Sequence, residues 1–283
     1  HLDGFYRDSI DLQIPQNNSR LNNSNTRARS GTAGFSFIGE QGFAGLSVNH
    51  LDSNYGVPSL EQSEQVRIEQ TQTRYDMKAE TNAPLPFAEK LRLRLGYNDY
   101  QHTELEGGVV AGTNFNNQGM EGRVEIVHQS LGVIDHGVLG FQAQAKDFIA
   151  TGEEAFLPAY DLQSYGLFLV EEVGAGPLTY EFGLRIEQQQ IDVLGGRVTK
   201  HTPVNASISA LWDSAEHIFV SLAFTHAQRA PDAQELFASG VHFASQSYEL
   251  GNAQLALETS YNLELSFKTE FDWLKTELNV FHN

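Results

Sequence analysis

From Tyr261 the chain alternates strictly: Tyr261, Leu263, Leu265 and Phe267 are apolar, while Asn262, Glu264, Ser266 and Lys268 between them are polar or charged. Successive side chains of a strand point to opposite faces, so this pattern predicts a strand with one greasy and one polar side. The rhythm recurs. Leu91, Leu93, Leu95 and Tyr97 alternate with Arg92, Arg94 and Asn98, and Tyr180, Phe182, Leu184 and Ile186 alternate with Glu181, Arg185 and Glu187. Read along its whole length, the chain holds about thirteen such segments, separated by turn-forming residues.

The connections are of two kinds. Short turns are expected at Glu40-Gln41-Gly42, Asn82–Ala88, Leu131–Gly137, Gly174–Pro177 and Asp213–Glu216. Longer polar loops are expected at Pro15–Arg29, Asp52–Glu64, Glu104–Gln118, Ala150–Asp161 and Leu194–Thr202, with a further one of roughly thirty residues after Arg229. A meander whose two ends differ in this way suits a barrel. The strands are expected to run about 10–14 residues, where globular strands have about 5–6 and a tilted crossing of hydrocarbon needs about 9–11. Aromatics near the ends of apolar faces (Tyr97, Tyr100, Trp212, Tyr261, Phe271, Trp273) fit interfacial girdles. The pattern therefore predicts an all-β, antiparallel transmembrane β-barrel wall, with hydrocarbon outside and charge inside. A soluble β-sandwich used for adhesion or binding would show a related alternation and stands as the rival.

Composition narrows the function classes. A net charge of −18 over 283 residues disfavours nucleic acid as a partner, because binding it requires cations set against a row of phosphates. Cysteine is absent, which excludes disulfides and thiolate metal sites. No run approaches the roughly 18 apolar residues of a membrane helix. Strand-like segments at both ends (Leu2–Tyr6 and Leu274–Phe281) suggest a section of a longer barrel.

Candidate chemistry is sparse. The ten histidines are scattered, without HExxH spacing. His242 lies within the long excursion together with Asp232, Glu235 and Glu249, and imidazole with carboxylate is a donor set for a divalent cation. His242 and Glu249 are the candidate metal ligands; the alternative is a solvated loop histidine. His102 and Glu104 fall where a strand leaves the membrane band, beside the same vestibule, with a hydrated rim as the alternative. His50 and His226 lie near strand ends on that side, and Asp135-His136 in a short turn on the opposite side. Asp135-His136 is a sequence-adjacent pair with no nucleophile indicated, so no catalytic residue is assigned. A barrel hydrolase would need a Ser/His/acid set at the outer rim. Arg92, Arg94, Glu181, Arg185, Glu187, Glu264 and Lys268 are expected to form hydrated networks inside the bore.

The stretch RAPDAQELFASGVHFASQSYELGN, followed by LETSYNLELSFK, resembles the R-x-P…EL(F/Y)…G-x-H…(F/Y)E-x-GN…E-x-S-x-N-x-E-L pattern of TonB-dependent outer-membrane receptors. DGFYRDS, NYGVP, QTRYDMKAE, NDYQHTELEG, NFNNQ and RVEIVHQ resemble the zinc-uptake branch in the same order, so the likeness covers nearly the whole chain. His242 falls on the G-x-H position. The resemblance implies a section, residues 1–283, of a 22-stranded barrel, without the plug through which TonB acts and without the last strands. It implies a Gram-negative outer-membrane nutrient receptor, embedded in the lipid bilayer, with no cofactor of its own. Zinc or another transition metal is the first expected cargo, and an iron chelate or small organic nutrient the second. The zinc branch carries a His- and Asp-rich insertion after NYGVP; here Ser59–Gln65 is short and has no histidine.

Overall fold

The structure, a computed structural model, describes residues 1–15, 19–59, 65–107, 110–152, 155–214, 217–242 and 247–283. Its strands are β1 (Leu2–Ser9), β2 (Thr26–Gly39), β3 (Gly42–Val57), β4 (Val66–Leu85), β5 (Ala88–Glu106), β6 (Val110–His128), β7 (His136–Gly152) and β8 (Tyr160–Ala175). They continue with β9 (Leu178–Val193), β10 (Val198–His201), β11 (Val204–Ser214) and β12 (Ile218–Arg229). After the helix α1 (Ala233–Phe237) come β13 (Ser239–His242), β14 (Ser247–Leu250), β15 (Glu258–Phe271) and β16 (Leu274–His282). One antiparallel sheet runs in the order β1 through β9, then β11, β12, β15 and β16, with β10 an added arm on β9. The pair β13–β14 forms its own small hairpin. Every neighbour in the large sheet is also a neighbour in sequence, apart from the steps over β10 and over the α1–β14 excursion.

The register explains the alternation. Residues directly opposite each other share a face, so Phe182, Ile208, Phe224 and Leu263 form one row across β9, β11, β12 and β15, and Tyr180, Ala210, Leu222 and Leu265 form the next. On the same face, Phe35, Leu46, Met77 and Leu95 line up across β2 to β5. No second layer of protein covers these side chains: Leu46 is 62% exposed, Leu167 56% and Leu263 47%. An apolar surface of this extent would be untenable in water, and it is the face that meets hydrocarbon. The opposite face is charged and paired. Arg92 lies 2.9 Å from Glu80, Arg123 2.6 Å from Glu125 and Lys268 3.0 Å from Glu270, while the Arg123 guanidinium sits 4.3 Å over the Phe168 ring. Charge inside and grease outside is the arrangement the sequence predicts.

Three expectations need correction. The strands β2 to β9 run from 14 to 20 residues, longer than the alternation suggests. At about 3.4 Å per residue and a tilt near 40°, β4 rises about 50 Å, well beyond a hydrocarbon core of about 30 Å. In the upper parts of these strands the outward face turns polar while the bore face holds apolar residues such as Ile68 and Phe115, so the hydrophobic periodicity of the membrane band disappears where the backbone ladder continues. For the same reason NYGV lies on β3, and the loop expected at Glu104–Gln118 is largely the β5–β6 ladder, with Thr103 opposite Asn114 and Glu104 opposite Thr113. Finally, Tyr100 faces the bore, edge-on to His102 at 5.5 Å, and takes no part in an outer girdle. The histidine-free segment Ser59–Gln65 falls mostly outside the described residues.

Short turns gather at one end and long connections at the other, as expected for periplasmic and extracellular ends. The turn after β2 shows how tight the short ones are. Gly42 has φ +147°, and a Cβ there would lie 1.9 Å from the carbonyl oxygen of Glu80, so no other residue fits without moving the strand.

Candidate functional site

The excursion between β12 and β15 is folded against the inner wall. Arg229 ends β12 directly opposite Glu258, the first residue of β15. Its Nη1 and Nη2 each donate to Glu235 at 2.8 Å, and its Nε donates to Glu258 at 2.9 Å, so one guanidinium ties the exit, the return and α1 together. Pro231 then lets the helix begin. Asp232 caps it: Oδ1 accepts from the Glu235 N–H at 2.8 Å, and Glu235 Oε2 accepts from the Asp232 N–H at 2.8 Å, a complete capping box. The Arg229 guanidinium and the Asp232 N–H together hold the Glu235 carboxyl down at about 2, and the two carboxylates raise the pKa of Arg229.

One face of this short helix is apolar. Ala233, Leu236 and Ala238 pack on Phe115 of β6, Tyr160 of β8 and Ile191 of β9, with Phe156 and Leu157 from the β7–β8 connection completing a small core inside the bore. Backbone bonds lock it: the Ser239 N–H donates to Phe156 O at 2.7 Å, and the Asn252 N–H to Glu235 O at 2.8 Å. Gly251 approaches α1 so closely that a Cβ would meet the Phe237 nitrogen at 2.6 Å.

That docking carries His242 onto β5. Glu104, with a side chain only 5% exposed, has Oε1 3.8 Å from His102 Nε2 and 3.9 Å from His242 Nε2. The second nitrogen of His242, Nδ1, lies 2.8 Å from Glu249 Oε1, and Gln234 Nε2 donates to Glu249 Oε2 at 2.5 Å. Burial raises the Glu249 carboxyl, but the bonds from His242 and Gln234 outweigh it and leave the group below its ordinary pKa. Each imidazole stacks on one phenylalanine ring. His102 stacks on Phe115 with centroids 4.4 Å apart, and His242 on Phe156 at 4.5 Å, the two phenylalanines being 6.4 Å apart. His102 Nδ1 is buried without a hydrogen-bond partner among the described residues.

Of the residues singled out in the sequence, His102, Glu104, His242 and Glu249 therefore converge. Asp232 and Glu235 do not join them; both are engaged in capping α1 and in the Arg229 clamp. His50 faces outward, 3.6 Å from Asp52, and His226 packs on Tyr261 at 4.9 Å. Asp135 accepts the Gly174 N–H at 2.6 Å, and His136 lies 3.6 Å from Glu172, both at the short-turn end. Phe115 and Phe156 went unread as site residues. Phe115 sat in an expected loop, and the signal for Phe156 was the apolar run Phe156-Leu157 inside an otherwise polar connection.

The donor set is two imidazole nitrogens and a carboxylate oxygen. Two donors about 3.8 Å apart can each lie about 2.1 Å from an ion held between them. A carboxylate on the far nitrogen of a ligating histidine is the usual orienting partner, and Glu249 occupies that position on His242. As they stand, no three such groups among the described residues are already closed to metal-holding distances.

The chain matches the family model described as TonB dependent receptor-like, beta-barrel, over residues 3–283. Among solved structures it is similar to the copper transporter OprC, at 15% identity and TM-score 0.80, covering 99% of this chain and 48% of that one. It is also similar to the FrpB iron transporter from Neisseria meningitidis (F5-1 variant), at 14% identity and TM-score 0.78, covering 99% and 49%. A third likeness is to the Serratia marcescens hemophore receptor HasR in complex with its hemophore HasA and heme, at 15% identity and TM-score 0.75, covering 99% and 48%. At these identities the likeness concerns the fold, and the chain spans about half the length of each. With a continuous antiparallel wall, an apolar outer face, a charged inner one and a family match over almost every residue, this chain belongs to the TonB-dependent receptor β-barrel family.

Proposed function

We propose that the chain is part of a TonB-dependent receptor in a Gram-negative outer membrane that takes up a divalent transition metal, zinc first, through the Glu104 site. The observation that carries this reading is the buried Glu104 carboxylate, flanked by His102 Nε2 and His242 Nε2 at 3.8 and 3.9 Å. A carboxylate so enclosed needs a positive partner. The two imidazoles supply it when protonated, and a divalent cation supplies it when they are neutral. The cargo binds between these donors, with Glu249 orienting His242. Release toward the bore follows when the plug, moved by TonB, is displaced. The protein binds and gates; no bond is made or broken.

A chelated metal or small organic nutrient is the second reading, favoured by the aromatic wall of Phe115 and Phe156 beside the donors. The two separate in titrations of the full-length receptor with free Zn²⁺ and with metal held in a chelate. Binding of the free ion that falls at least about tenfold in Glu104→Gln, the loss of one charged ligand, supports the first. Unchanged affinity in that variant, or binding of the chelate alone, refutes it.

A further inference from the structure

Glu249 bears on the Glu104 site only through His242, so the group that aims Glu249 also aims the ligand. An ionised carboxylate accepts hydrogen bonds and donates none. Its Oε1 lies 2.8 Å from His242 Nδ1, which therefore carries the imidazole proton. In the neutral ring the lone pair is then on Nε2, the nitrogen 3.9 Å from Glu104 Oε1. Two electron-rich atoms facing each other in this way make a place for a cation. The opposite tautomer would point an N–H at Glu104 and leave no lone pair there for a metal.

The Glu249 carboxylate is held from two directions. His242 and the hydroxyl of Ser247 reach it from within the β13–β14 hairpin, where the two are paired residues, so they move with it. Gln234 reaches it from outside: its Nε2 donates from α1 to Oε2 at 2.5 Å. Only the amide nitrogen can face a carboxylate, which fixes the orientation of the Gln234 side chain itself. The helix is in turn fixed to the wall by Ala233 and Leu236, and to the root of the excursion by Arg229. Gln234 is exposed on α1, off the buried face of Ala233 and Leu236, so docking of the helix does not need it. His102 is set differently, by its own strand and by rings. It stacks on Phe115 at 4.4 Å and stands edge-on to Tyr100 at 5.5 Å, and its Nδ1 has no acceptor behind it among the described residues.

From this geometry we propose that Gln234 is a positioning residue for the cargo: through Glu249 it holds His242 with Nε2 turned to Glu104 and makes His242 the anchoring ligand of the site. This role rests on the metal reading of the Glu104 cluster, and it ties affinity to a side chain that never touches the ion.

The test is calorimetric titration of the full-length receptor in detergent with Zn²⁺. Gln234→Met keeps the length of the side chain and removes the donor. Affinity is expected to fall about tenfold, while hydrogen exchange across residues 233–238 stays as slow as in the unaltered receptor. Gln234→Lys, which restores a donor, is expected to stay within about threefold of the unaltered affinity. The relay also predicts coupling: once Glu249→Gln is present, adding Gln234→Met is expected to cost little more, because the chain of bonds is already broken. Unchanged affinity in Gln234→Met, a loss as large in Gln234→Lys, additive losses in the double variant, or a loss accompanied by faster exchange in α1 each overturn the proposal. Zinc affinity that falls in Glu104→Gln but not in Gln234→Met overturns this role alone, whereas affinity indifferent to Glu104→Gln overturns the metal reading with it.

Discussion

Glu104 Oε1 on β5 lies 3.9 Å from Nε2 of His242, at the end of β13, and the contact exists only because the excursion after Arg229 folds back into the bore. Neither residue reaches the other through strand pairing. The docking of α1 and the small core beneath it carry the histidine to the wall, so the site depends on packing remote from its own chemistry.

Loss of Glu249 should weaken metal binding without removing a ligand. In Glu249→Gln the imidazole of His242 keeps a hydrogen-bond partner but loses the charge that fixes its orientation. Affinity for Zn²⁺ by calorimetry is expected to fall about 10–100-fold, the usual cost of disturbing such a partner. An unchanged affinity would place Glu249 outside the ligand's influence.

Acid should loosen the excursion over a defined window. In the folded state Arg229 and the Asp232 N–H lower the Glu235 carboxyl to about 2, well below its ordinary range, so the carboxylate's contribution is fully present above its unfolded pKa and is lost as pH falls through the folded one. Hydrogen exchange in residues 232–238 should therefore accelerate between about pH 5 and pH 2, while the strand ladders stay protected. In Arg229→Ala the clamp is absent, and exchange should already be fast at pH 7, with a weaker acid dependence.

Leu236 is 2% exposed in the core beneath α1. Leu236→Ala should cost about 2–5 kcal/mol of local docking energy. The expected signature is protease sensitivity in the excursion, together with weaker zinc binding, in a receptor whose barrel still shows heat-modifiable migration on gels.

The two faces of the wall should respond oppositely to charge. Leu167, outward on β8, and Gln142, inward on β7, lie in neighbouring rows near the middle of the sheet. Leu167→Arg is expected to lower folding stability in lipid by about 2–4 kcal/mol, the cost near a bilayer midplane, whereas Gln142→Arg should cost little. Similar effects of the two substitutions would contradict the assignment of faces.

The wall was legible in the sequence because a barrel strand inside the membrane must alternate: lipid accepts no charge, and the bore is wet. Strands such as Ile218–Arg229 could be read directly from that rule. Above the membrane the outward face meets water and the bore face meets the docked excursion, so the constraint lapses, and Thr113, Asn114 and Phe115 read as loop although their backbones continue the β5–β6 ladder. The charged spacing of Asp232 and Glu235 suggested a ligand set. The same spacing is that of a capping box, and local backbone demand decided between the two uses.

By itself, then, the sequence determined the period-two wall, its lipid and bore faces and the family pattern, since these follow from neighbours along one chain. Only the tertiary structure decided which candidates meet. His102 and Glu104 stand on a strand, His242 and Glu249 on a hairpin far along the chain, and their separation depends on how α1, Phe156 and Gly251 pack. Packing of that kind is a property of surfaces brought together in space, for which the order of residues carries no direct signal.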